Sequence, residues 1–352
     1  MNITKYSVVL LFLMMLLMFC SRETDSNSLT EYSITNVELL LSLETTDHIA
    51  QPTRIRPFDG GFIFYDYGFK NIQVYNSAAD HLYSFGNVGD GPGEYRDVAG
   101  LWVVNDEVIL NDFRNARMNR YTKEGAFISQ FEIPSNLLYY HQITLSQNLD
   151  MFIPVNGENN ALVKRVSQQD KDDIYIGTAL AEQATFFDMN HIRETILAGS
   201  VPDEFKNMVF LATDENHLYI FKQATGELEK YSMAGEFVWT TGVIEHPVME
   251  KLFAHFIERN RSGAIGGVFP LSYISGMKAF NGGVLLTMTS LPDEPLLMLF
   301  INDSGKLEKS YTLDLGINAY PHQFSSDGKF LYLVDSDDGS VYRAEWPMVS
   351  NN

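Results

Sequence analysis

The chain has 352 residues, 45% of them hydrophobic and 13% aromatic, enough for one large domain or two ordinary ones with a sizeable core. Lys and Arg total 25 against 45 Asp and Glu, a net charge of −20. A field of that sign repels phosphate backbones and anionic lipid surfaces, so a charge-driven partnership with nucleic acid is excluded.

The chain opens with Lys5 and then the apolar run Val8–Phe19, which has the length of a signal-peptide core and is short for a membrane-spanning helix. Residues 1–19 are therefore expected to be a signal peptide outside the fold. Cys20, the single cysteine, follows directly, and the polar stretch "SRETDSNSLTE" comes after it. A lone cysteine closing a signal core resembles a bacterial lipobox, although Phe19 stands where such boxes prefer a small residue. The resemblance implies lipidation of Cys20, a flexible tether over 20–32, and a lipid-anchored place at the cell envelope. A plain signal peptide, which would make the protein secreted, and an uncleaved anchor are the alternatives. Without a second cysteine no internal disulfide forms, and packing alone holds the fold.

From about residue 50 short apolar runs recur: "FIFYD", "VILND", "DMFIP", "HLYIF", "GVLLT" and "FLYLV". Each is too short for a helix, rich in β-branched and aromatic residues, and bounded by turn formers, so each predicts a strand. A second strand follows each ("NIQVYN", "RMNRYT", "LEKYS"), then a tight turn and, in most units, a third ("HLYSFG", "AFISQFEI", "EFVWTTG"). A further apolar run precedes each set, giving four strands per unit and six units. Sheets of this kind, repeated every 40–50 residues or so, predict an all-β, six-bladed β-propeller over 33–352, because each sheet covers its two apolar faces only by packing on its neighbours around an axis. The last unit lacks its outer strand, and Ser33–Glu44 is a strand without a partner, so it is expected to close the ring and remove the open edges. Two wider spacings, near 181–206 and 243–271, predict inter-blade insertions. The second is helical, with Pro247 near its start and Met249, Leu252, Phe253 and Phe256 at helical spacing.

The glycine-rich stretch "FGNVGDGPGEYRDVAGL" lies between the first two units. A phosphate-binding loop needs a following helix and, in the Walker type, a Lys-Ser/Thr pair; here a strand follows and no lysine is present. Its glycines and Pro92 instead predict a sharp turn from blade rim to axis. The segment from "FYDYGFKNIQVYN" through "GDGPGE" to "RMNRYTKEGAF" resembles tandem NHL-type repeats. With Cys20, the whole is similar to the six-bladed β-propeller lipoproteins of Bacteroidetes called NHL-like or TolB-like. That resemblance implies fold and location and little chemistry.

The function expected is a non-catalytic binding or scaffold propeller that recognises an envelope protein, peptide or glycan. The alternative is a hydrolase or lyase of lactonase type with a divalent metal on the axis. Asp66, Asp112 and Asp335 end equivalent strands and are the candidate metal carboxylates, but such aspartates also cap the loop that follows. "DSDDGS", Asp335–Ser340, lacks the full calcium-loop ligand set. His246 and His255 are too far apart in sequence to share a helix face as a zinc pair. No "GxSxG" elbow occurs, so no catalytic, metal or cofactor residue is expected. Tyr139 and Tyr140 could stack on a sugar, but fit a core strand better. The cluster Arg114, Arg117 and Arg120 is too small for an RNA-binding face. In an antiparallel blade the loop between strands two and three shares an end with the inter-blade connection. The expected binding surface is therefore that end, carrying Tyr67, Lys70, Arg96, Asp112, Arg114, Arg117 and Glu158 together with both insertions. Turns such as "KEG" (Lys123, Glu124) occupy the far end.

Overall fold

The computed structural model describes residues 29–134, 143–168, 173–184, 186–261, 267–280, 282–292, 294–313, 324–335 and 337–347. The signal segment, Cys20, Tyr139 and Tyr140 lie outside the described residues. The chain forms a six-bladed β-propeller. Blade 1 is β3 (Pro52–Phe58), β4 (Gly61–Asp66), β5 (Asn71–Tyr75) and β6 (His81–Phe85). After a small parallel pair, β7 (Asn87–Val88) with β8 (Glu94–Tyr95), blade 2 runs β9 (Val98–Val104), β10 (Glu107–Asp112), β11 (Arg117–Thr122), β12 (Phe127–Glu132). Blade 3 is β13 (Thr144–Leu145), β14 (Met151–Pro154), β15 (Val163–Val166), β16 (Ile174–Ile176), and blade 4 is β17 (Val209–Thr213), β18 (His217–Lys222), β19 (Glu227–Ser232), β20 (Phe237–Gly242). Blade 5 is β21 (Ile274–Phe280), β22 (Gly283–Met288), β23 (Leu296–Ile301), β24 (Leu307–Leu313), and blade 6 contains β25 (Phe324–Ser326), β26 (Phe330–Val334), β27 (Val341–Glu345).

The second strand of each blade is continuously apolar because its alternating side chains enter two different cores. In β4, Phe62 and Phe64 pack towards blade 6 beside Tyr332, Val334 and Val341. Ile63 and Tyr65 pack towards blade 2 beside Leu101, Val108 and Leu110. The same division recurs in β18, where Leu218 and Ile220 face blade 3 and Tyr219 and Phe221 face blade 5. Outer strands meet solvent on part of their surface, so β12 and β20 alternate between exposed and half-buried residues. Six apolar clusters result, one at each blade interface.

The N-terminal segment closes the ring, but as two strands. β2 (Val37–Leu41) pairs antiparallel with β27 and completes blade 6. β1 (Thr30–Ile34) pairs parallel with β24 as a fifth strand of blade 5. The single strand expected over Ser33–Glu44 is thus broken at Thr35–Asn36, and strand begins at Thr30, inside the stretch expected as tether. The alternation Tyr32, Ile34 accounts for the first strand: Ile34 is buried in the blade 5–6 core and Tyr32 stacks on Tyr311. The segment thereby clasps two blades.

Both insertions form helices. The first contains α1 (Met189–Leu197), capped by Asp188 accepting from the Asn190 and His191 amides, and α2 (Asp203–Lys206). The second is α3 (Pro247–Arg261). Met249, Leu252 and Phe256 of α3 meet Ile192 and Ile196 of α1 over blades 4 and 5, so the insertions share one core. Buried Asn260 ties the end of α3 to Phe269 through both its amide atoms.

Candidate functional site

The loop-bearing end of the ring is built first from aspartates. Asp66 accepts hydrogen bonds from the amides of Ala50, Gln51, Gly68 and Phe69 at 2.7–3.1 Å. Asp112 accepts from the Arg96 amide, Asn115 and Arg117, and Asp335 from the Asp337 amide. These carboxylates hold the strand-two loops, and among the described residues no group of three or more His, Cys, Asp and Glu is arranged for a metal. In the "DSDDGS" stretch, the Asp338 carboxylate accepts from the Ser340 amide within a tight turn.

The glycine-rich loop is held from the next blade. Arg117 gives Nε to Asp112 at 3.1 Å and its remaining nitrogens to the carbonyls of Asp90, Gly91 and Glu94 and to Gln130. Two and four residues along β11, Asn119 donates to Glu94 O and Tyr121 to Gly93 O. Alternate residues of one strand thus catch successive loop carbonyls. Gly93 has φ +73° and faces Phe127 so closely that no Cβ fits. The loop is a structural turn, as its sequence predicts.

The residues expected to bind are placed as follows. Tyr67 is exposed, with the Lys70 ammonium 3.0 Å from its ring centre. Arg96 is paired with Asp90 at the surface, and Arg114, 68% exposed, lies 3.7 Å from Asp97. These four stand at the strand two–three loops and inter-blade turn of blades 1 and 2. Glu158 lies in the corresponding loop of blade 3 and accepts from Tyr175. Asp112 and Arg117 are buried, and their charges are spent on each other and on the loop. The first insertion adds exposed Phe186, Phe187 and Met189.

Sequence reasoning missed the axis. The innermost strands enclose a cavity of about 830 Å³ whose walls carry Arg54 and Arg56 of β3, Trp102 of β9 and Lys278 of β21. Its turn-lined end carries Asp214, Glu215 and Asp327. Around Thr53–Arg56 the pairing of β3 with β4 slips by one residue, and Arg54 takes a left-handed φ of 57°. An arginine there costs roughly 1–2 kcal/mol against an ordinary conformation. Arg54 Nε is buried without a hydrogen-bond partner. Burial first, and then repulsion by Arg54, lowers Arg56 to about 10. Burial first, and then repulsion by Arg56, lowers Lys278 to about 8, against the attraction of Asp327. The signal that could have located this set is "PTRIRPF", two arginines on a strand at the axis.

No known family model matches the chain, and no curated protein matches its sequence. Its fold is similar to that of a predicted exported protein of Bacteroides fragilis NCTC 9343, at 11% identity and TM-score 0.52, over 90% of this chain and 99% of that one. A member of the DUF4221 family from Bacteroides vulgatus ATCC 8482 matches at 8% identity and TM-score 0.50, over 89% and 96%. Virginiamycin B lyase from Staphylococcus aureus follows at 12% identity and TM-score 0.49, over 88% and 99%, too loose to bear on chemistry. What the first two of these comparisons show is a shared overall fold.

Proposed function

We propose that the protein is an exported, lipid-anchored propeller of the bacterial envelope, of the NHL-like or TolB-like kind, that binds a partner protein, peptide or glycan without catalysis. Export is supported by Val8–Phe19 followed by Cys20, and by the naming of the Bacteroides fragilis neighbour as exported. The observation that carries the binding reading is the crowding of one end of the ring. Two helical insertions share a core there, and Phe186 is 77% exposed beside Phe187 and Met189. Apolar surface of this kind beside long loops is a feature of interaction sites. Arg96 and Arg114 add exposed cations at the same end.

The test is capture from detergent-solubilised envelopes by the full-length protein. Charge reversal at Arg96 and Arg114 should weaken capture of a partner, and reversal at Lys123 and Glu124 should not. Greater sensitivity at Lys123 and Glu124 would place the working surface at the wrong end. A stoichiometric divalent ion in the purified protein would favour the metal-dependent hydrolase or lyase.

A further inference from the structure

We propose a second site: the axial channel binds a small oxyanionic ligand, carrying a carboxylate, sulfate or phosphate group, through Arg54, Arg56 and Lys278. This holds whether or not the insertion-bearing end takes a partner. The cations converge although the chain carries a net charge of −20, and two strands from non-adjacent blades supply them. Arg56 donates to the Ile55 carbonyl at 2.7 Å and lines the cavity together with Arg54 and Lys278. The groups facing the set are Asp97 near Arg54 and Asp327 near Lys278, with Asp214 and Glu215 on the same wall. Asp214 is committed to the amides of Asn216 and His217 and to the Tyr219 hydroxyl, and Asp327 accepts from the amides of Lys329 and Phe330.

Arg54 carries the inference furthest. Its only hydrogen bond among the described residues is a long one, 3.5 Å, to Thr53 Oγ1, and its Nε has no partner. Its left-handed backbone belongs to a bulge, a device that re-aims a side chain. A strained arginine on the wall of a cavity is the kind of position that function maintains. Guanidinium forks match the planar oxyanion, and Lys278 adds a point charge. The cavity, about 830 Å³, is of the size that holds small molecules, and Trp102 offers a ring-bearing anion a surface to stack on.

The experiment is calorimetric titration of the full-length protein with three probes at low and physiological salt. Sodium sulfate tests a bare oxyanion, citrate a polycarboxylate, and digalacturonate an acidic sugar. At least one should bind one-to-one and raise the melting temperature, with affinity falling as salt rises. Arg56→Gln and Lys278→Met should each weaken it tenfold or more, and Lys123→Gln should leave it unchanged. Melting curves of each variant separate lost binding from lost folding. The proposal is overturned if none of the probes binds at millimolar concentration, or if binding survives both channel substitutions.

Discussion

Lys278→Met should make the protein more stable while emptying the channel of one charge. Lys278 faces Arg56 of β3 in the cavity, whose lining also carries the acids Asp327, Asp214 and Glu215. Burial and Arg56 together bring its ammonium from 10.5 to about 8. Below pH 8 both the folded and unfolded chains hold the proton, so the folded state carries the whole penalty of the enclosed charge. Between about 8 and 10.5 the folded chain has released a proton that the unfolded chain keeps. The unfolded state then binds more protons, and stability rises with pH. Full desolvation would put the penalty at roughly 3 kcal/mol, and solvent in the lumen screens part of it, leaving ~1–3 kcal/mol. Methionine has similar length and no charge, so it removes the penalty without opening a cavity. Urea denaturation near pH 7 and near pH 9.5 is the assay. The upper limit stays below about 10, where tyrosines in the unfolded chain ionise. Relative to the variant, wild type should gain ~1–2 kcal/mol between the two, since the buried tyrosines and Arg56 act on both proteins alike. The variant should start higher at pH 7 and gain much less. Equal pH slopes for the two proteins, or a variant less stable at pH 7, would refute a net penalty for holding the Lys278 charge in the channel.

The clasp is tested by two leucines of β2: Leu41 is 4% exposed and Leu39 is 53% exposed. Leu41→Ala should cost ~2–5 kcal/mol and Leu39→Ala under about 0.5 kcal/mol in the same denaturation assay, and similar costs would mean that β2 does not close blade 6 in this register. Arg117→Met leaves the Asp112 carboxylate buried without its cation, takes the donor from the Asp90 carbonyl and removes one of two donors each from Gly91 and Glu94, so a loss of ~3–5 kcal/mol is expected, with faster amide exchange at Asp90–Glu94. Cys20→Ser should release the protein from membranes on fractionation, and a variant that stays membrane-bound and unprocessed would make Val8–Phe19 a plain anchor.

The architecture was legible because its physics is local and repeated. A strand whose alternate residues enter two cores must be apolar throughout, and "FIFY" and "FLYLV" display that directly. The glycine loop was legible because the residues after it form a strand. The double clasp was half legible: the missing strand of blade 6 demands a partner, whereas nothing local says that Thr30–Ile34 lies parallel on blade 5. That pairing depends on Tyr311, far along the chain.

The channel was illegible for a different reason. Arg54, Arg56 and Lys278 stand on inner strands more than two hundred residues apart, and each looks alone like an ordinary polar residue on a strand. What distinguishes them is the closure of the ring, which turns the first strands of blades 1 to 5 towards one cavity. Burial that arises only on closure cannot be read from a strand's own periodicity. The backbone repeats the point, because β3, β9 and β21 each carry a register shift in the part that follows the inter-blade connection. Ala99 and Ser275 occupy the irregularity in blades 2 and 5, where small residues are easily placed. In blade 1 the same stretch holds Arg54, a long charged residue at a left-handed φ of 57°. The arginine at that strained position runs against local preference and is one of the grounds of the proposed oxyanion site.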